Sequence, residues 1–290
     1  MGLKVIVLAK QVPDTRNVGK DAMKADGTVN RAALPAIFNP EDLNALEQAL
    51  RLKDRYPGTE VTILTMGPGR AADIIREGLF RGADDGYLLT DRAFAGSDTL
   101  ATSYAISCAI KKMNGVDLII AGRQAIDGDT AQVGPQVAEK LGLPQVTYAE
   151  EVLSVDKDKM VIKRRLERGV ETVEMPLPGV ITVNASAPDC RPRNAKLTMK
   201  FKHAKTITER QGEAEDYIDM TADRPYLNIA EMSVNDIDSD AKWLGLTGSP
   251  TKVKKIENVV FQAKESKRLT PSDEEIDELM KDLIANHTIG

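Results

Sequence analysis

Residues 116–121 (VDLIIA) run directly into residues 122–134 (GRQAIDGDTAQVG), and this junction decides the fold. A block of branched apolar residues that stops at a glycine reads as a strand buried on both faces. The polar, glycine-containing stretch leads to Val133, Val137 and Leu141, whose spacing is helical. Strand, polar loop and helix in that order form the repeating unit of a parallel sheet covered by helices.

The same unit recurs upstream. Residues 4–9 (KVIVLA) read as a buried strand, and Asn39 before Pro40-Glu41-Asp42 reads as an N-cap followed by proline and first-turn acids. Leu43, Leu46 and Leu50 continue that helix to Pro57-Gly58. Residues 60–66 (EVTILTM) form the next strand, and Gly67-Pro68-Gly69 turns into a helix with Ile75 and Leu79 on one face. A brief strand over 87–90 precedes a helix over 98–113 that aligns Ile106, Ile110 and Met113. Four such units predict an α/β fold with a mostly parallel, doubly wound, Rossmann-like sheet. Beyond Pro144 the pattern changes to strands over 152–155, 160–166 and 170–175, an added antiparallel hairpin region, before 180–183 returns to the main sheet.

From about residue 186 the core signal fades. Arg191, Arg193, Lys196, Lys200, Lys202 and Lys205 form a basic stretch that reads either as a solvated face or as a dock for an acidic partner. Residues 209–240 then carry ten acids against Arg210 and Arg224, too polar to bury much of themselves. The expected division is therefore a nucleotide-binding domain over 1–205 and a C-terminal arm over 206–290 that lies on a partner. Ile276, Met280 and Ile284 give its last helix an apolar seam.

Composition narrows the chemistry. With 290 residues, 42% hydrophobic, the chain can bury one sizeable core, and a net charge of −5 argues against nucleic acid. Cys108 and Cys190 stand in no metal-ligand spacing, and His203 and His287 are the only histidines, so triads and zinc sites lack their parts. A bound cofactor is the expected carrier of any reaction. No stretch approaches the roughly 18 apolar residues of a membrane span, which gives a cytoplasmic expectation.

In an open parallel sheet, ligands sit beyond the carboxyl ends of the strands. That selects residues 9–12, 66–69, the loop before Asp98, and 122–134. At the last, backbone N–H groups at the helix start and the Thr130 hydroxyl are placed to bind a pyrophosphate; Asp129 or Thr130 as an ordinary N-cap is the equal alternative. Residues 66–72 fit a loose G-x-G-x-x-A, better read as a turn whose backbone approaches an adenine than as a full dinucleotide fingerprint. Asp127 and Asp129 lack the further oxygen ligands of a metal pair, and no phosphate-binding G-x-x-x-x-G-K-[ST] loop exists.

At these segments the sequence resembles the β subunit of electron transfer flavoproteins (the EtfB/FixA family). The motifs are residues 7–14 (VLAKQVPD), Asn39-Pro40, Met66-Gly67-Pro68, residues 122–127 (GRQAID) and Pro192-Arg193, in family order. The resemblance implies a heterodimer with an α subunit and a nucleotide cupped by the four segments. In the respiratory type that nucleotide is a structural AMP; in the electron-bifurcating type it is FAD. Residues 128–135 (GDTAQVGP) and 96–102 (GSDTLAT) resemble the bifurcating type. By that likeness Ala9, Val12, Asn39, Met66 and Gly67 line the adenosine, and Asp98, Thr99 and Thr102 lie near the diphosphate or ribityl chain. Asp129, Thr130 and Gln132 lie on the phosphate side, and Gly122, Arg123, Gln124, Asp127, Gly128, Ala131 and Val133 are the further cofactor-binding residues of that loop. The same likeness implies NADH as donor, ferredoxin or flavodoxin and an acyl-CoA or similar dehydrogenase as acceptors, and Arg193 with Leu197 as the dehydrogenase contact. A self-contained NAD-dependent dehydrogenase and a stand-alone nucleotide sensor are the competing readings. The first lacks an acid or base near residues 67–72, and the second leaves the arm unexplained.

Overall fold

The computed structural model describes residues 2–14, 35–211, 224–252, 266 and 268–289. Helical crossovers join four parallel strands at the centre of the sheet, β1 (Lys4–Leu8), β4 (Glu60–Met66), β5 (Asp85–Leu89) and β6 (Leu118–Gly122), and β10 (Gly179–Val183) adds itself parallel to β6. Between β1 and β4 lie a short antiparallel pair, β2 (Gln11–Pro13) and β3 (Ala36–Phe38), and helix α1 (Pro40–Arg55). Helix α2 (Ala72–Arg81) joins β4 to β5, α3 (Thr99–Lys112) joins β5 to β6, and α4 (Val133–Leu141) follows β6. Then come β7 (Gln145–Val155), β8 (Lys159–Leu166) and β9 (Gly169–Pro176) before β10, and α5 (Ala195–Phe201), β11 (Lys205–Thr206), α6 (Ile207–Gln211), β12 (Asn228–Met232) and α7 (Asp273–Ala285) after it. The ten-stranded order is β11-β12-β5-β4-β1-β6-β10-β7-β8-β9.

Every residue of β6 is buried, as its unbroken apolar run requires. Alternation along the strands divides the core. Val5, Val7, Ile63 and Ile120 face Leu46, Leu50 and Ile75 of α1 and α2, while Ile6, Leu64 and Ile119 face Ile106 of α3 and Val137 of α4. Burying each of these side chains stabilises the fold by about 1.5–3 kcal/mol. The chain moves outward from β1 through β4 to β5 and then crosses back to β6, so the order reverses between β1 and β6. That is the point at which such sheets leave a crevice for a ligand.

Two expectations are refined. The antiparallel part begins earlier than residue 152: β7 pairs parallel with β10 from Gln145 and antiparallel with β8 further on, so one strand serves both regions. The arm expected from 206 also gives a strand to the sheet, since β12 pairs parallel with β5. Leu227, Ile229, Ile237 and Leu244 bury themselves against the domain, but they stand among acids too widely spaced to form a periodic signal. Of the acidic stretch, residues 212–223 lie outside the described residues. Helix α7 buries none of its residues, and Ile276, Met280 and Ile284 are exposed.

Candidate functional site at the carboxyl rim

The rim between β1 and β6 is built around three consecutive-turn residues at the start of α1. Asn39 begins the helix but makes no capping bond with its side chain. Its Nδ2 donates to the Gln124 carbonyl at 2.9 Å, and its Oδ1 accepts from the Ile126 N–H at 3.2 Å. Glu41 accepts from the Gln124 N–H at 3.1 Å and from both Nε and a terminal nitrogen of Arg123, at 3.2 and 2.8 Å. Asp42 bridges the two strands, accepting from the Lys10 N–H at 2.8 Å and the Gly122 N–H at 3.1 Å. Gly122 is required there, because a methyl group on it would stand 2.3 Å from Asp42 Oδ1.

These carboxylates were legible only as first-turn acids complementing a helix dipole. Their burial and their hold on a loop some 80 residues away leave no local mark. Burial pushes the Asp42 carboxyl up to about 7, against the opposing pull of Asn39, the Lys10 and Gly122 N–H groups and the Lys10 charge.

Beyond Ile126 the loop turns on itself, with the Asp129 N–H donating to the Ala125 carbonyl at 2.9 Å. Lys10 Nζ grips both oxygens of Asp127, at 2.7 and 2.9 Å, and Gln124 Nε2 donates to Asp129 Oδ1 at 2.9 Å. Gly128, Asp129 and Thr130 are exposed. Asp129 and Ala131 adopt left-handed backbone, with φ of 49° and 52°, a conformation that costs an L-residue about 1–2 kcal/mol. Gln132 follows in the right-handed region at the N-cap of α4, and its side chain makes no capping bond. Left- then right-handed residues point successive N–H groups into one concavity, an arrangement that receives anions.

Helix α3 closes the other side. Asp98 caps it, accepting at Oδ1 from the Leu100 and Ala101 N–H groups at 2.9 and 3.0 Å. Thr99 Oγ1 donates to Gln132 Oε1 at 2.8 Å, tying the start of α3 to the start of α4, and Thr102 is half-buried one turn on. Ala9 and Val12 are buried, Met66 and Gly67 are half-buried at the end of β4, and Val133 packs partly buried against the α3–α4 core. Gln11 Nε2 reaches the Arg70 carbonyl at 3.1 Å and so joins the loops after β1 and β4. All four expected segments thus meet at one rim.

Arg193 and Leu197 lie elsewhere. The Asn194 N–H donates to the Phe80 carbonyl at the far end of α2, and Arg193 pairs with Glu77. Leu197 is half-buried against the core, whereas Met199 projects, 64% exposed. The rim also contains one residue that the sequence reading passed over. Tyr148, at an irregularity in the β7–β10 pairing, has φ of 58°, and the Arg123 guanidinium lies 6.0 Å from its ring centroid.

Among the described residues no cluster of His, Cys, Asp or Glu could hold a metal ion, and no helix is long and apolar enough to cross a membrane. Comparison with known proteins matches residues 26–214 to the electron transfer flavoprotein domain family. The chain is 44% identical over 260 residues to an electron transfer flavoprotein subunit beta of Megasphaera elsdenii, covering 88% of this chain and 87% of that protein. It is 52% identical over 180 residues to the caffeyl-CoA reductase-Etf complex subunit CarD of Acetobacterium woodii, covering 62% and 68%. Protein FixA of Azotobacter vinelandii is 42% identical over 256 residues, covering 87% and 82%. With a matching family model over residues 26–214 and relatives of this kind along most of its length, the chain belongs to the electron transfer flavoprotein β-subunit (EtfB/FixA) family.

Proposed function

We propose that this chain holds the ADP portion of FAD at the carboxyl rim and serves in an electron-bifurcating flavoprotein heterodimer. The observation that carries the reading is the start of α4. Its first turn is uncapped by its own N-cap side chain, is preceded by two left-handed residues, and is tied to α3 through Thr99. Such a turn presents N–H donors and a positive dipole end to a diphosphate.

The nearby carboxylates do not oppose an anion as their number suggests. Lys10 neutralises Asp127, Gln124 donates to Asp129, and Asp98 is spent on two amides of its own helix and on Thr251. The donor set therefore fits a dinucleotide. Thr130, Gln132 and the 130–133 amides would hold the phosphates, with Ala9, Val12, Asn39, Met66 and Gly67 around the adenosine. A bound flavin would supply the redox chemistry, accepting electrons in a pair and passing them on singly. The chain's own part is to bind and orient that group.

The residues 128–135 (GDTAQVGP) favour FAD over AMP at this position by their likeness to the bifurcating type. Two of the relatives are named as parts of acyl-CoA reductase systems, one for caffeyl-CoA and one for acryloyl-CoA. In this reading NADH supplies the electrons, and ferredoxin or flavodoxin and an acyl-CoA-type dehydrogenase receive them. The test is a count of nucleotides released on denaturing the complex with its α subunit. Two FAD per heterodimer is the expected result; one FAD with one AMP would leave the family intact and defeat the bifurcation reading.

A further inference from the structure

We propose that Ser249 and Thr251 are positioning residues of the nucleotide site, acting through Asp98 and Thr99 on the phosphate-side loop. The inference rests on the reading above and adds to it a segment far outside the rim in sequence.

The polar residues 247–251 (TGSPT) carry no periodic signal, yet they fold onto the loop that launches α3. Gly245 allows the approach: its φ is +55°, and a side chain there would meet the Ala93 carbonyl oxygen at 2.4 Å. Two hydroxyls then engage Asp98 from outside its helix. Ser249 Oγ accepts from the Asp98 N–H at 2.8 Å and donates to the Gly245 carbonyl at 2.7 Å. Thr251 donates twice to Asp98 Oδ2, from its N–H at 3.1 Å and from Oγ1 at 2.7 Å. Each carboxylate oxygen of Asp98 thus takes two donors, Oδ1 from α3 and Oδ2 from Thr251. Desolvation acts against the charge but is outweighed by the Thr251 hydroxyl and the Ala101, Thr251 and Leu100 amides, which hold the carboxyl below its usual range.

This arrangement fixes the first turn of α3 in place rather than offering Asp98 to a ligand. The next residue makes the connection to the site, since Thr99 Oγ1 meets Gln132 at 2.8 Å and lies 3.5 Å from Gln136 Nε2. Ser103 Oγ donates to Gln136 Oε1 at 3.1 Å, one turn deeper. Hydrogen bonds from Thr251 to Asp98 and from Thr99 to Gln132, joined by the backbone at the start of α3, therefore connect Thr251 to the residue at the N-cap of α4. An anion site built from backbone N–H groups depends on where that turn sits, because the donors have no rotamers with which to follow a displaced ligand.

The experiment uses the heterodimer, stripped of nucleotide and titrated with FAD, with AMP as competitor. Thr251→Val, Ser249→Ala, Thr99→Val, Thr130→Ala and the double variant Thr251→Val/Thr99→Val are compared by FAD affinity and by melting of the stripped complex. Loss of a hydrogen bond to a charged group predicts about 10-fold weaker FAD binding in Thr251→Val. Thr251→Ser should restore it, and the double variant should be little worse than the worse single one. Unchanged affinity in Thr251→Val and Ser249→Ala, whether or not their melting falls, overturns the proposal. In that event weakened binding in Thr130→Ala keeps the site where it is placed, and unchanged binding there removes the site reading as well. Additive losses in the double variant also overturn it, since they break the line through Thr99.

Discussion

Gly122→Ala is the sharpest perturbation of the rim, because it alters a residue that touches no ligand in the proposed site except through its backbone. A methyl group at position 122 would lie 2.3 Å from Asp42 Oδ1, 2.7 Å from the Glu41 carbonyl carbon and 2.8 Å from the Asp42 nitrogen. Two of those neighbours are backbone atoms of α1, so rotating a side chain brings no relief. Ordinary contact begins at 3.4 Å, so the backbone of the first turn of α1, at 2.7 and 2.8 Å, must retreat by about 0.6–0.7 Å. Overpacking of this kind costs about 1–3 kcal/mol. The retreat also stretches the bonds from the Lys10 and Gly122 N–H groups to Asp42, now 2.8 and 3.1 Å, and leaving a buried polar group without its partner costs about 1–3 kcal/mol. Partial loss of both brings the expected destabilisation to about 3–5 kcal/mol, a large fraction of the 5–15 kcal/mol typical of a domain. Urea unfolding of wild type and variant, compared by midpoint at constant slope, measures it. A midpoint shift worth less than about 0.5 kcal/mol would refute the claim that α1 is pressed against the end of β6.

Four further outcomes are expected. Because burial raises Asp42 from 3.8 to about 7 in the folded protein, its contribution to stability is present below about pH 4 and is lost as pH rises through 7; at about 1.36 kcal/mol per pH unit the fall reaches at most about 4 kcal/mol. Denaturation at several pH values should show that fall in wild type and not in Asp42→Asn. Ala131→Gly relieves a left-handed alanine and should leave stability equal or up to about 1 kcal/mol higher, whereas Ala131→Val, β-branched at the same φ of 52°, should lose about 1–2 kcal/mol and weaken FAD binding. Leu197→Ala, which removes a half-buried side chain from the core, should cost about 1–3 kcal/mol, while Met199→Ala should change stability by under about 0.5 kcal/mol; melting curves separate the two. Lys10→Gln releases Asp127 toward the loop and should weaken FAD binding several-fold, with the loss shrinking as salt is raised.

The parallel sheet was legible because its strands are buried on both faces, and burial of that kind writes unbroken apolar runs such as residues 116–121. The helices were legible because each keeps a stripe, as Leu43, Leu46 and Leu50 do. The start of α4 was harder. Asp129 and Thr130 look like caps, yet the cap position falls at Gln132 because two left-handed residues extend the loop first, and left-handed backbone at alanine has no sequence signature. The arm hid its strand for a different reason. Ile229 is buried beside β5, but Ile229 and Ala230 alone between Asn228 and Glu231 give no alternation long enough to read. Tyr148 was invisible because its placement depends on an irregularity in strand pairing rather than on its neighbours in the chain.

The acids near the rim raise a question that the hydrogen bonds answer. Glu41, Asp42, Asp98, Asp127 and Asp129 together would repel a diphosphate if each faced it as a free carboxylate. Instead Glu41 is matched by Arg123, Asp127 by Lys10, Asp129 by Gln124, Asp42 by two backbone amides, and Asp98 by two amides of its own helix and by Thr251. Four of these acids also join segments that are distant in sequence: Glu41 to Arg123, Lys10 to Asp127, Asp42 to both strand ends, and Asp98 to Thr251. The carboxylates thereby hold the loops in the positions that leave the 130–133 amides open, and the positive potential at that point comes from oriented peptide groups rather than from lysines or arginines. Salt should therefore weaken nucleotide binding far less than it would at a site of exposed cations, because fixed dipoles at contact distance are screened little. A steep loss of FAD affinity in wild type between low and physiological ionic strength would show that mobile side-chain charge, not the backbone, does the binding.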